Sequence, residues 1–275
     1  MFHAGLALYL APGMDLAHLL RGEIWEARGR PDAALTAYDR IAADSPYRLM
    51  ADLRRANALD ERGDRAAAAD LLRRLMARQG DNPEPAIRLG DLFRGRKQWT
   101  AAIAAYDTAV ARMEARAKPY WSVYYARGIA LERAKIWDRA EADFLTALKL
   151  NPDQPYVMNY LGYSWTEQGR HLQRAKKMIR KAAELRPRDG YIVDSLGWIH
   201  YQQGAYETAV THLERAVELR PADPVINDHL GDAYWRAGRR QEAHYQWRRV
   251  LLLAPSPELR AALTRKLTGG LPAAR

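Results

Sequence analysis

The 275-residue chain carries 43 Lys and Arg against 33 Asp and Glu, a formal charge of +10, and 48% of its residues are hydrophobic. No apolar run reaches the roughly 18 residues that would cross a bilayer, and the lack of cysteine excludes disulfides, a thiol nucleophile and cysteine-ligated zinc. The basic balance raises nucleic acid as a partner. Against that, the pairs Arg54-Arg55, Arg73-Arg74, Arg239-Arg240 and Arg248-Arg249 are spread along the chain with Asp and Glu interspersed, as on solvated helix faces.

The chain opens on MFHAGLALYL, which has no basic leader and too short an apolar run for a signal peptide. Pro12 stands 34 residues before Pro46, so residues 1–14 read as a partial repeat, the second helix of a hairpin without its first. Phe2, Leu6 and Tyr9 would then present an apolar face to a partner or a second copy.

From Asp15 a unit of about 34 residues recurs. Residues 15–48 hold Gly22, Trp25, Gly29, Ala34, Tyr38, Ile41 and Pro46. Residues 49–82 are degenerate, with Ala56 in place of the glycine, then Leu59, Gly63, Ala68, Leu72 and Leu75. Residues 83–120 hold Leu89-Gly90, Phe93, Ala102, Tyr106 and Ala109, with four extra residues around Glu114 to Lys118. Residues 121–154 hold Gly128, Leu131, Ala140, Phe144, Ala147 and Pro152. Residues 155–189 hold Leu161-Gly162, Trp165, Gly169, Ala175, Ile179, Ala182 and Pro187, with one extra residue near His171-Leu172. The last two units, 190–223 and 224–255, match position for position. Leu196-Gly197, Gly204, Ala209, Leu213, Ala216 and Pro221 return as Leu230-Gly231, Gly238, Ala243, Trp247, Val250 and Pro255.

Each unit predicts two helices split by a glycine turn and closed by a proline. In the last unit the spacing predicts helices over Val225–Ala237 and Gln241–Leu253. Gly231 and Ala243 are small where two backbones must approach closely, and Leu230, Tyr234, Trp247 and Val250 fill the space around that crossing. One hairpin cannot bury such a surface, so the hairpins must stack. After Pro255, Ser256 is a fitting N-cap, Pro257 suits the first helical position, and Leu259, Leu263 and Leu267 form one apolar stripe. Residues 256–275 are thus a capping helix and tail, with Arg260, Thr264, Arg265 and Lys266 expected to face away.

The period and its residues resemble the tetratricopeptide repeat (TPR) family over essentially the whole chain. The resemblance implies an all-α fold, a right-handed α-solenoid of about seven helix hairpins. It also implies a groove lined by the first helix of each unit. Carried onto this sequence, the family's groove positions fall on Tyr125 in the fourth unit and on Tyr156, Asn159, Tyr160 and Tyr163 in the fifth. In the sixth they fall on Tyr191, Asp194, Trp198 and Tyr201, and in the seventh on Asp228, His229, Asp232 and Trp235. Aromatic faces with polar tips suit an extended peptide, and the three aspartates could receive a Lys, an Arg or an amino terminus. The family's mode of clamping a C-terminal carboxylate is not matched, because Asp228 and Asp232 stand where basic or amide residues would be needed.

The glycines recur at the repeat period, so no phosphate-cradling loop is indicated, and no catalytic or metal motif stands out. The expected role is a non-catalytic protein- or peptide-binding scaffold without a cofactor. A single-stranded RNA reader built of helical repeats is the alternative, disfavoured by the groove aspartates. NYLGYS (159–164), IVDSLGW (192–198) and INDHLGDAYWRAGR (226–239) resemble the C-terminal repeats of proteobacterial TPR adaptors. Some of those are exported or lipid-anchored and serve envelope enzymes. That resemblance implies a periplasmic or envelope location, with the cytoplasm as the alternative.

Overall fold

Alternation of small and large apolar residues at a 34-residue period calls for paired helices, and paired helices are what the chain forms. The computed structural model describes residues 2–115 and 120–272. Among them all regular structure is helical. It comprises α1 Phe2–Leu10, α2 Asp15–Ala27, α3 Pro31–Asp39, α4 Arg48–Arg62, α5 Arg65–Arg78, α6 Glu84–Gly95, α7 Trp99–Ala115, α8 Trp121–Arg133 and α9 Trp137–Leu150. These are followed by α10 Pro155–Glu167, α11 Leu172–Leu185, α12 Gly190–Gln202, α13 Tyr206–Leu219, α14 Pro224–Arg236, α15 Arg240–Leu252 and α16 Pro257–Gly269. Two compact units result, Met1–Leu150 and Asn151–Arg275. The first holds α1 and the hairpins α2/α3, α4/α5, α6/α7 and α8/α9. The second holds α10/α11, α12/α13 and α14/α15, closed by α16.

Caps set the helix limits. The Asp189 carboxylate accepts from the N–H groups of Tyr191 (3.0 Å) and Ile192 (3.4 Å), and Asp223 accepts from those of Val225 (2.9 Å) and Ile226 (3.1 Å). Pro155, Pro224 and Pro257 occupy first-turn positions where no N–H is missed. The turn inside each hairpin requires one residue with positive φ. Gly238 supplies it in α14/α15 at +83°, but Lys97 and Lys135 adopt +57° and +61° at the equivalent turns of α6/α7 and α8/α9.

Inside every hairpin except α4/α5, where Ala56 replaces the glycine, one large side chain fills the space above one glycine. A Cβ on Gly231 would stand 2.5 Å from the Trp247 ring. Trp247 is fully buried among Ala243, Val250 and Leu263. Burial of such a ring contributes roughly 4–6 kcal/mol before the entropy of ordering is subtracted. Leu259 and Leu267 join this cluster from α16, as the apolar stripe of that helix predicts, and the Ser256 hydroxyl accepts from the Leu259 N–H at 3.2 Å.

Three local expectations meet the structure differently. Lys266 does not face away: its ammonium turns inward onto α14, because two carboxylates wait there. The extra residue near His171 is absorbed as a left-handed residue (φ +48°) just before α11. The insertion around Glu114 to Lys118 lies mostly outside the described residues, as does the side chain of Phe2. Leu6 and Tyr9 on α1 are exposed.

Candidate peptide-binding groove

The first helices of the second unit, α10, α12 and α14, pack side by side, with α11, α13 and α15 as their hairpin partners. Residues spaced three and four apart share a helix face. Tyr156, Asn159, Tyr160 and Tyr163 therefore form one face of α10, Tyr191, Asp194, Trp198 and Tyr201 one face of α12, and Asp228, His229, Asp232 and Trp235 one face of α14.

Exposure of these residues is highest in the first turns of α10 and α12. Tyr156 and Tyr191, in the first turns of α10 and α12, are 43% and 49% exposed. Each ring lies beneath a guanidinium from the end of its own hairpin, Arg186 at 5.8 Å and Arg220 at 4.5 Å from the ring centre. Beside Tyr191 opens a cavity of about 420 Å³ bounded by Leu219, Arg220, Pro221, Asp223 and Pro224. Asn159, Tyr160 and Tyr163 are half-buried, and the carbonyl oxygen of the Asn159 side chain is shielded from solvent without a hydrogen-bond partner. A buried acceptor left unmet costs free energy.

On α12 and α14 the same positions are knitted together. The Trp198 ring stacks on Tyr201 at 4.6 Å (8° between planes) and on His229 at 4.0 Å (17°), and its Nε1–H donates to Glu167 Oε1 at 2.6 Å. His229 Nδ1 lies 2.9 and 3.1 Å from the two oxygens of Asp194. Burial works against charge on this ring. The pull and hydrogen bond of Asp194, with Asp228 and Asp232 behind it, outweigh burial and hold its pKa above the ordinary histidine value.

Asp228 and Asp232 converge on the Lys266 ammonium of α16, at 2.7 and 2.8 Å from the Asp228 oxygens and 2.7 and 2.9 Å from those of Asp232. Asp232 also accepts from the Trp247 Nε1–H at 3.0 Å. Burial, and then the neighbouring Asp228 charge, push the Asp232 carboxyl up to about 6. Burial disfavours the Lys266 ammonium, yet the two aspartates raise its pKa overall. Trp235, half-buried, lies under the Arg240 guanidinium at 3.7 Å and against Gly270, where a Cβ would come within 1.8 Å of its ring.

Tyr125 belongs to the first unit. Its ring stands 6.4 Å from Trp121 and 6.1 Å from Phe144, and it borders a cavity of about 230 Å³ with Ile87, Asp91, Arg94, Tyr106 and Ile129. The structure thus joins Asp194, Trp198, Tyr201 and His229 in one cluster and Asp228 with Asp232 in another. Among the described residues no three His, Asp or Glu side chains converge as metal ligands would.

Four participants escaped the sequence reading: Glu167, Arg186, Arg220 and Lys266. For two of them a signal existed, because Arg186-Pro187 and Arg220-Pro221 recur 34 residues apart, close to the 35 that separate Tyr156 and Tyr191. Glu167 and Lys266 pair across 31 and 34 to 38 residues and carry no local mark.

Comparison with known proteins fits this architecture. A relative from Pseudomonas aeruginosa, TPR repeat-containing protein PA4667, is 27% identical over 209 residues, 74% of this chain. The chain spans only about a third (34%) of that relative's length. Among solved structures, a tetratricopeptide repeat protein from Parabacteroides merdae superposes with a TM-score of 0.69 at 12% identity, covering 93% of this chain and 99% of that one. YrrB, described as a TPR protein with an unusual peptide-binding site, superposes with a TM-score of 0.53 at 17% identity, over 72% of this chain and 99% of its own. The tetratricopeptide repeat profile matches residues 1–48, 53–121, 89–155 and 125–173, and the TPR repeat profile matches 197–238. With most of its length matched and every hairpin closing small on large, the chain belongs to the tetratricopeptide repeat family.

Proposed function

We propose that this chain is a non-catalytic adaptor that holds an extended segment of a partner protein along the α10 and α12 faces of its second unit. Support comes chiefly from the exposed rings of Tyr156 and Tyr191. Flat rings bury apolar side chains at low entropic cost. Asp194, Trp198, Tyr201 and His229 brace the wall from behind. Asp228 and Asp232 are buried and taken up by Lys266, so the α14 end offers a ligand no free carboxylate from this pair.

An envelope location is part of this proposal. It rests on the resemblance of NYLGYS, IVDSLGW and INDHLGDAYWRAGR to repeats of proteobacterial adaptors, with the cytoplasm as the alternative. No described helix is long and apolar enough to cross a membrane.

The test is binding to an immobilised array of unrelated 15-residue peptides, comparing the intact chain with the triple variant Tyr156→Ala, Tyr160→Ala, Tyr191→Ala. Loss of at least tenfold in affinity for the best peptides, with helicity by circular dichroism retained, is the expected result. Equal binding by the variant would overturn the reading. Binding of oligouridylate with a steep salt dependence, in the absence of peptide binding, would favour the RNA alternative.

A further inference from the structure

The surplus positive charge of this chain is concentrated in one place. Between Arg170 and Arg188 lie eight Lys and Arg and a single acid, Glu184, so this stretch holds +7 of the +10 formal charge. Three of the eight lysines of the chain are here, Lys176, Lys177 and Lys181. Net charge alone concealed this, because the arginine pairs noted above are scattered.

The stretch is built on α11. Its inner side, Ala175, Ile179 and Ala182, is fully buried, and the helix packs against α10 and α12. Along the helix Arg174, Lys177 and Lys181 recur at i, i+3 and i+7, and all are exposed, with Arg180 beside them. At 1.5 Å per residue this row runs about 10 Å.

Elsewhere several half-buried cations are matched by carboxylates. Arg127 sits between Asp107 and Asp143, Arg239 between Glu214 and Glu242, and Lys266 between Asp228 and Asp232. On α11, Lys181 bridges Asp153 and Arg180 reaches Glu184 only at 4.0 Å. Arg174, Lys176 and Lys177 have no carboxylate partner among the described residues: Arg174 lies over Trp165 at 5.1 Å and Lys176 donates to Gln203 at 2.9 Å. Like charges at i, i+4, as in Lys176/Arg180 and Lys177/Lys181, destabilise a helix, so local helix stability does not explain the row.

We propose that the outer face of α11 is a second docking surface, fitted to an acidic helix of a partner protein and separate from the tyrosine wall. The row is one helix wide, and its cations repeat at the 5–6 Å spacing that Asp and Glu at i, i+4 of a facing helix would match. The apolar side of α11 is sealed inside the repeat, which leaves no stripe to enter a bilayer. Trp165 beneath Arg174 is 1% exposed, which leaves no ring on which a base could stack. An adaptor with one face for an extended segment and another for an acidic helix would hold two parts together.

The experiment uses the whole chain and a 16-residue helical peptide with Glu at every i, i+4 position, titrated by fluorescence polarisation at low and physiological salt. The variant Arg174→Glu, Lys177→Glu, Lys181→Glu is expected to weaken binding at least tenfold with unchanged circular dichroism. The control variant Arg74→Glu, Arg78→Glu, Arg248→Glu, which makes the same change of net charge elsewhere, is expected to stay within twofold. Equal loss in both variants would reduce the effect to net charge and overturn the proposal. It is equally overturned if the peptide does not bind, or if oligouridylate or phosphatidylglycerol vesicles bind through α11 while the peptide does not.

Discussion

The His229 imidazole lies flat on the Trp198 indole, with ring centres 4.0 Å apart, while its Nδ1 is held 2.9 Å from Asp194. A charged imidazole in this position gains both from the carboxylate and from the face of the indole. Because its folded pKa is raised above the unfolded value near 6.5, its contribution is complete below about pH 6.5 and is lost as pH rises through the folded value. The melting temperature at pH 6 is expected to exceed that at pH 8.5, and His229→Gln is expected to shrink this gap. Circular dichroism melts at the two pH values check it, and an unchanged gap in the variant would sink the assignment.

Asp232 carries the opposite burden. Its carboxyl, moved from 3.8 to about 6 by burial and by Asp228, favours the protonated form in the folded chain. Stability attached to this group is therefore greatest below about pH 4 and declines between pH 4 and 6. Asp228→Asn removes the like charge and leaves a one-to-one pair with Lys266, so the decline is expected to flatten. Urea titrations monitored by tryptophan fluorescence at pH 4, 5 and 6 measure the slope directly.

The glycine beneath Trp247 admits nothing larger. Gly231→Ala would place a Cβ about 2.5 Å from the indole, and overpacking of this kind costs about 1–3 kcal/mol. Gly80→Ala, with no atom within 4 Å of the added carbon and no positive φ, is expected to be neutral or slightly stabilising. Equilibrium unfolding of the two variants should therefore move in different directions, and equal losses would contradict the close-approach account.

Lys97 and Lys135 stand at positive φ where five other hairpin turns place Gly29, Gly63, Gly169, Gly204 and Gly238. A left-handed lysine costs about 1 kcal/mol. Lys97→Gly and Lys135→Gly are each expected to recover part of it, measured as an upward shift of the denaturant midpoint at constant slope. A downward shift would show that a side-chain role of lysine outweighs the backbone strain.

The repeats were legible because their signals are local. A glycine and the large residue that fills the space above it lie about 16 residues apart within one hairpin, as with Gly231 and Trp247, and helix limits follow from caps and prolines in the adjoining turn. The spacing predicts Val225–Ala237 for a helix that runs Pro224–Arg236. Even the basic stretch could be counted from Arg170 to Arg188, once charge is summed over a short window and not over the chain. What each groove position does was not legible. Asp194 meets His229 across 35 residues, and Lys266 meets Asp228 across 38. Both partnerships form only when the first helix of one hairpin, or the capping helix, settles beside the first helix of the hairpin before it.

Sequence by itself determined the hairpins, their number and their small-on-large cores, because helical periodicity and turn chemistry act over a few residues. Tertiary structure alone decided which carboxylates are paired internally and which rings remain open to a ligand. The rotation of each stacked helix sets whether a side chain meets the neighbouring helix or solvent, and that rotation is fixed by packing across repeats.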